Sequence, residues 1–254
     1  MNYFAPKDTA ERYAKGRPYF HRNTIEKVKE FLKLEEKFKI ALDVACGTGL
    51  STKALLDIAE KIYGTDTSEE MLKQAEQNNR IIYSISAAEK MEFADKKFDL
   101  ITVCSGVHWF DIDKFLNESQ RILINNGWLV IYDNFFISEM ENVPEFNDWF
   151  FEIYLKRFPS PNRKDNYNWN DENINKFNFN FVFEDNFKNT VEFTKNDLIT
   201  YFTTQSNISN YIEKEKGNYT EIENWLNKEL TPFFSSEKRN INYGNWIKYL
   251  QKRT

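Results

Sequence analysis

FKIALDVACGTGLST, residues 38–52, is the stretch that decides the fold. Residues 38–45 form an apolar run that ends in a Gly-x-Gly turn at Gly47 and Gly49. GLSTKALLDIAEK (49–61) follows with its apolar positions at helical spacing. Strand, glycine turn and helix in that order make half of a βαβ unit, and the pattern repeats outward. KIYGTD (61–66) reads as a second strand. SEEMLKQAEQN (68–78) reads as a helix, with Ser68 as its N-cap and Glu69 and Glu70 in the first turn. RIIYSIS (80–86), KFDLITVCSG (97–106) and GWLVIYDNF (127–135) are further strands, with a helix DIDKFLNESQRIL (111–123) before the last. Apolar strands alternating with helices predict an α/β fold, a parallel sheet covered on both faces.

The second half has a different texture. PEFNDWFFEIYLKRF (144–158) is predicted helical, and NRKDNYNWNDENINKFNFNF (162–181) is rich in Asn and Phe. That stretch allows two readings, a disordered segment or a cap that buries its aromatics, and its Asn content is also what base bias in a genome produces. FKNTVEFT (187–194) is read as a strand, KNDLITYFTTQ (195–205) and TEIENWLNKELTPFF (220–234) as helices, and RNINYGNWIKYLQK (239–252) as a closing strand. The expected organisation is one domain over residues 1–254, with an N-terminal helical cap at 1–36 and a lid or cap insertion at 136–186.

Composition narrows the function classes. Hydrophobic residues at 41% and charged residues at 29% suit a globular protein in water. A net charge of −5 disfavours nucleic-acid binding through phosphate contacts. Aromatics at 17% call for a large aromatic core, an aromatic-lined pocket, or both. Cys46 and Cys104 each lie in an apolar run and read as reduced thiols. His21 and His108 are too few and too far apart for a zinc site, so no metal is expected. No signal-peptide core and no run of membrane-span length occur, which sets the expectation of a cytoplasmic protein, not membrane-bound, as a monomer or homodimer.

In a sheet of this kind ligands sit beyond the C-terminal ends of the strands, where Asp43 to Gly49 must lie. A nucleoside-triphosphate loop is excluded because no Gly-Lys-Ser/Thr follows. A dinucleotide loop is the closer rival, since Asp66 stands at the spacing of a ribose-binding acid. Asp43 discriminates. A pyrophosphate would bring like charge to the loop, at a cost of roughly 4 kcal/mol for charges about 4 Å apart at an effective dielectric near 20. S-adenosylmethionine brings a sulfonium and an ammonium, which an acid attracts, while free N–H groups around Gly47 and Gly49 take its carboxylate. The competing reading is that Asp43 only caps the turn and the glycines only permit a tight connection.

DVACGTGLST, GTDTSEEMLKQA, SAAEKMEF, FDLITVCSGVHWFD and RILINNGWLVIYD, in this order and spacing, resemble the class I S-adenosylmethionine-dependent methyltransferases of the type 11 group. HWF, the N-terminal YAKGRPYF, LITYFTTQS and the closing strand are similar to the small-molecule branch that includes trans-aconitate methyltransferases. The resemblance implies a doubly wound, Rossmann-like, mostly parallel sheet of seven strands in the order 3-2-1-4-5-7-6, the last strand antiparallel, with a helical, aromatic-rich cap insert. It assigns Asp43, Ala45, Gly47 and Gly49 to the loop beneath the methionine part, with Ala45 where many relatives have glycine. Asp66 matches the acid on the ribose hydroxyls, and Thr67 and Met71 flank the adenine. Ala87 stands where an aspartate is frequent, so the backbone of Ala88 or the side chain of Glu89 has to read the adenine amino group. Ser105 completes the cofactor set.

Methyl transfer from a sulfonium is an in-line displacement, whose main demand is alignment and exclusion of water. A carboxylate acceptor needs no general base, and a hydroxyl or amine does. His108, at the end of strand four, is the candidate base, with Tyr19 the second catalytic candidate; Trp109 and His108 alternatively pack beneath the acceptor. Tyr13, Arg17 and Tyr19 lie on the segment that in this family folds over the cofactor, where aromatic faces attract a sulfonium and Arg17 pairs with a carboxylate. The competing reading of these three is one apolar face of a surface helix. Tyr132 and Asp133, at the end of strand five, border the same cleft, and the aromatic insert beyond them suits either a lid or a filled core. The expected function is O-methylation of a small-molecule carboxylate, with S-adenosylhomocysteine as product. The alternatives are an NAD-dependent oxidoreductase, a non-catalytic cofactor-binding module and an RNA methyltransferase.

Overall fold

A computed structural model describes residues 7–161, 167–215 and 217–254. The elements in chain order are α1 (Lys7–Gly16), α2 (His21–Leu32), β1 (Phe38–Val44), α3 (Leu50–Ala54), β2 (Ala59–Asp66), α4 (Glu69–Leu72), β3 (Ile81–Ile85), β4 (Phe98–Cys104), α5 (Ile112–Ile122) and β5 (Leu123–Met140). A helical stretch follows, α6 (Glu145–Trp149) and α7 (Leu155–Arg157) joined by a π turn at Phe150–Tyr154. Then come α8 (Asp171–Asn175), β6 (Phe179–Thr194), α9 (Lys195–Thr203), α10 (Ser206–Glu215), α11 (Tyr219–Leu230) and β7 (Lys238–Lys252).

The seven strands form one sheet in the order β3-β2-β1-β4-β5-β7-β6, with β1 to β5 parallel and β7 antiparallel to its neighbours. The expected strand order is therefore the observed one. Register puts Asp43 beside Gly64 on one side and Thr102 on the other, so the C-terminal ends of β1, β2 and β4 lie level.

Element lengths depart from the sequence pattern for identifiable reasons. The helix expected over 49–61 ends at Ala54 plus one 3-10 turn, because Ala59–Lys61 pair with β1 as a strand. The helix expected over 68–78 has its Ser68 cap, which accepts from the Met71 amide, but ends at Leu72. Beyond it, Gln77 and Asn78 bond the backbone of Ala75 and Arg80 and compete with helix continuation. β5 is twice as long as expected: it passes through Asn126 (φ 62°) and Gly127 as a bulge against β4, where the sequence starts the strand only at Gly127. β6 likewise begins at Phe179, where FNFNFVF alternates at strand period. Helix α10 has no counterpart in the sequence reading.

The chain divides into two compact units. The larger comprises residues 19–134, 163–187 and 245–254. Its core packs Leu42, Val44, Ile101, Val103, Phe115 and Leu129 on one side of the sheet and Ile25, Leu55, Ile62, Val130 and Ile247 on the other. Residues 162–166 of the Asn/Phe-rich stretch lie outside the described residues. From Tyr167 onward the stretch is ordered: Ile174 and Phe179 are fully buried in that core, with Tyr167, Trp169, Phe177 and Phe181 against it. The smaller unit, residues 1–18, 135–162 and 188–244, has its own core of Phe146, Trp149, Tyr154, Phe158, Phe202 and Tyr243, which absorbs much of the aromatic content.

Candidate functional site

At the C-terminal end of β1 the backbone turns left-handed at alternate residues, Ala45 (φ 56°), Gly47 (φ 54°) and Gly49 (φ 78°). Such alternation curls the chain into a tight concave loop. Glycine is required at Gly49 for space as well as for φ, since a Cβ there would lie 2.4 Å from the Tyr83 hydroxyl. Ala45 carries its methyl because the facing residue is Gly106, where an added Cβ would come within 2.9 Å of it.

Asp66 ties the loop to the end of β2. Its Oδ2 accepts from the Gly47 amide and its Oδ1 from the Ser68 amide, both at 2.8 Å. Burial raises its pKa, and the amides of Ser68, Gly47 and Thr67 oppose that rise. The two glycine amides expected to be free are engaged: Gly47 donates to Asp66, and Gly49 donates to the Cys46 carbonyl at 2.9 Å. That corrects the expectation for these two glycine amides, which are spent inside the fold.

Asp43 is fully buried. Its Oδ2 accepts from Ser51 (2.6 Å) and Thr52 (2.7 Å), and its Oδ1 from Thr102 (2.9 Å). Burial pushes its pKa up to about 6 against the pull of the three hydroxyls. A carboxylate held there is a negative charge under the loop that no cation neutralises among those three partners. The Thr48 hydroxyl is buried without a hydrogen-bond partner among the described residues. Met71 floors the loop, its Cε 3.2 Å from where a Gly47 Cβ would be, and Thr67 is exposed beside it. Ala88 is buried, and Glu89 has one carboxylate oxygen on the Asp111 amide (2.8 Å) at the start of α5.

The end of β4 supplies a second cluster. Ser105 is left-handed (φ 53°), and its hydroxyl donates to Asp133, which the sequence places at the end of strand five but which lies within the longer β5, just past its last pair with β4. Behind them, Tyr132 and His21 are buried, with His21 Nδ1 3.1 Å from the Tyr132 hydroxyl and 3.9 Å from Cys104 Sγ. Burial alone lowers the His21 pKa to about 3, so this imidazole is neutral at physiological pH. Tyr132, expected at the acceptor side, thus spends its hydroxyl on an internal partner. His21 was not singled out in the sequence, and no local signal marks it: its partner is 111 residues away. His108 sits half-buried on the 3-10 turn Val107–Trp109, its ring 4.7 Å from that of Trp109, which is 39% exposed. Tyr19 is 49% exposed and edges against His21 at 5.7 Å. Tyr13 and Arg17 belong to the smaller unit, where the Arg17 guanidinium lies over the Tyr13 ring (4.5 Å) and the Tyr201 ring (5.2 Å).

These residues fit S-adenosylmethionine. Asp66 keeps a lone pair beyond its amide bonds for ribose hydroxyls, the loop admits close approach, and acids, Asp43, Asp66 and Asp133, are bonded into the loop and the neighbouring parts of β4 and β5. That charge suits a cationic methyl donor and opposes a pyrophosphate.

Comparison with known proteins agrees. Residues 42–131 match the methyltransferase domain family. A Dictyostelium discoideum protein named as a methyltransferase is 29% identical over 190 residues, 70% of this chain and 68% of that protein. The demethylmenaquinone methyltransferase of Bacteroides fragilis is 36% identical over 102 residues, which cover 36% of this chain and 42% of that one. A solved type II methyltransferase structure from Anaeromyxobacter dehalogenans superposes with a TM-score of 0.70 at 18% identity, over 93% of this chain and 97% of that one. The loop and the acid at the end of β2 thus lie within the segment that matches the methyltransferase domain family, and the strand order goes with a fold shared with solved methyltransferase structures.

Proposed function

We propose that the protein transfers the methyl group of S-adenosylmethionine to a carboxylate oxygen of a small molecule, as in the branch that includes trans-aconitate methyltransferases. The observation that carries the cofactor reading is the Asp66–Gly47 tie beneath three left-handed residues, in a segment that matches the methyltransferase domain. When bound, the cofactor supplies an electrophilic methyl on a cationic sulfur. Asp66 then accepts from ribose hydroxyls, and the Asp43 charge attracts the cationic end through the loop. Met71 and Ala88 offer apolar surface to the adenine.

Carboxylate chemistry is what Arg17 of the smaller unit suits, a guanidinium framed by two tyrosine faces. No proton has to be removed from a carboxylate acceptor, and His108 then positions it. A hydroxyl acceptor is the second reading, favoured by the Ser105–Asp133 pair, which offers a carboxylate able to take a proton. A small-molecule acceptor fits the demethylmenaquinone methyltransferase relative and the net charge of −5. No described helix is long and apolar enough to cross a membrane.

The test is calorimetric titration of the protein with S-adenosylmethionine and, separately, with NADH. Binding of the sulfonium cofactor alone is expected. Binding of NADH alone overturns the reading, and binding of neither removes the enzyme assignment.

A further inference from the structure

The smaller unit contains buried hydrogen-bond donors that its own fold leaves unused. Gly16 ends α1 pressed against α9, where an added Cβ would stand 2.7 Å from Thr204 Cγ2 and 2.9 Å from the Thr200 carbonyl. That contact delivers Arg17 to the C-terminal end of α9, where its guanidinium donates to the Thr204 carbonyl at 3.2 Å. The next residue, Gln205, begins the turn into α10: its carbonyl accepts from the amides of Ile208 (3.1 Å) and Ser209 (3.2 Å). Gln205 and Ser209 are therefore one helical turn apart and share a face.

The Gln205 Nε2 and the Ser209 Oγ are both buried without a hydrogen-bond partner among the described residues, and Ser209 is 8% exposed. Nearby polar groups show what a structural role looks like: Asn207 donates to the Phe158 carbonyl at 2.9 Å and Thr204 Oγ1 to the Tyr201 carbonyl at 2.6 Å. Buried donors left unmet in a folded chain are uncommon and call for an acceptor from outside it. The N-terminus of α10, a helix of ten residues, starts at Ser206 and adds the positive end of its dipole at the same place.

We infer that Gln205 and Ser209, beside Arg17, form a carboxylate-binding recess within the smaller unit. A guanidinium, a carboxamide N–H and a hydroxyl are a donor set for an anion with two oxygens, and the rings of Tyr13 and Tyr201 over Arg17 suit a carboxylate attached to an unsaturated or aromatic body. The recess stands on the smaller unit alone; its match in chemistry to a carboxylate acceptor rests on the function proposed above.

The experiment uses the full chain, the variants Gln205→Met and Ser209→Ala, and three carboxylates (benzoate, cinnamate and succinate), with benzamide and cinnamamide as neutral counterparts. Thermal unfolding is followed at about 10 mM of each, with calorimetry on any that bind. At least one carboxylate is expected to raise the wild-type Tm while its amide does not. Each variant is expected to keep or raise the ligand-free Tm, since an unmet donor is removed, and to lose about fivefold or more in carboxylate affinity. Loss of several degrees in the ligand-free Tm of both variants would show that these groups serve the fold, and would overturn the inference. So would equal protection by amides, or no response of the wild type to any carboxylate. S-adenosylmethionine is titrated in parallel. Carboxylate binding without cofactor binding removes the proposed reaction and leaves the recess standing, and cofactor binding without carboxylate binding does the reverse.

Discussion

Asp43→Asn separates the two things a buried acid can do. Moving a carboxyl pKa from 3.8 to about 6 means that holding Asp43 ionised costs the folded state about 3 kcal/mol at neutral pH. Asparagine removes that cost. Its carbonyl can face Ser51 and Thr52, and its amide can donate to Thr102, whose hydroxyl has the Leu42 carbonyl at 3.5 Å as an alternative acceptor. After some loss of charge-assisted bonding, a gain of about 1–2 kcal/mol at pH 7 is expected in urea unfolding. The pH dependence gives a second readout. A group whose folded pKa is raised contributes stability that is complete below pH 3.8 and lost as pH rises through about 6, so Asp43 makes the wild type relatively more stable in acid. His21 has the opposite sign: its folded pKa is lowered from 6.5 to about 3, so its contribution is complete above pH 6.5 and is lost as pH falls toward 3. The two contributions largely cancel between about pH 4 and 6.5, and the variant, left with His21 alone, is expected to lose about 2–3 kcal/mol over that range relative to wild type. S-adenosylmethionine affinity in turn should fall about tenfold or more, because the attracting charge is gone. A variant that is less stable at pH 7 and binds the cofactor unchanged would refute the reasoning and leave Asp43 as a structural knot.

Other substitutions test neighbouring parts. Asp66→Ala leaves the Gly47 and Ser68 amides without their acceptor, so urea unfolding should show a loss of about 1–2 kcal/mol together with a cofactor affinity at least about tenfold weaker by calorimetry. Gly49→Ala forces a left-handed Cβ against the Tyr83 hydroxyl and should cost about 2–4 kcal/mol; Tyr83→Phe in the same chain should recover about 1 kcal/mol, and an additive double-mutant cycle would contradict the contact. His108→Ala should reduce turnover of a hydroxyl acceptor by about a hundredfold and of a carboxylate acceptor far less. Equal losses with both would confine His108 to positioning.

The parts of the site that were legible in the sequence are local. Asp43, the alternate small residues of the loop, Asp66 and the Ser68 cap all lie within one βαβ unit, where spacing along the chain is spacing in space. Strand order followed from the motifs that carry the family resemblance. Strand lengths were less legible, because Asn126–Gly127 has turn chemistry and yet lies within β5 as a bulge, an outcome that pairing with β4 decides. The engagement of the Gly47 amide by Asp66 was hidden for the same reason: a carboxylate at the end of β2 and an amide after β1 meet only through sheet register. Tyr83 gives no sign in the sequence of filling the space that Gly49 and Gly64 leave. His21, Tyr132 and Cys104 come from α2, β5 and β4, and no spacing rule joins them.

With two histidines in the chain, the burial of one has a spectroscopic consequence. His21 stays neutral down to about pH 3, so its imidazole proton resonances should stand still through the whole working range. Of the two imidazoles, a signal that titrates near neutral pH is therefore not that of His21, and the other, His108, lies against Trp109 and feels its ring current. The protein therefore carries a self-assigned magnetic reporter beside the end of β4, readable at natural abundance and without substitution.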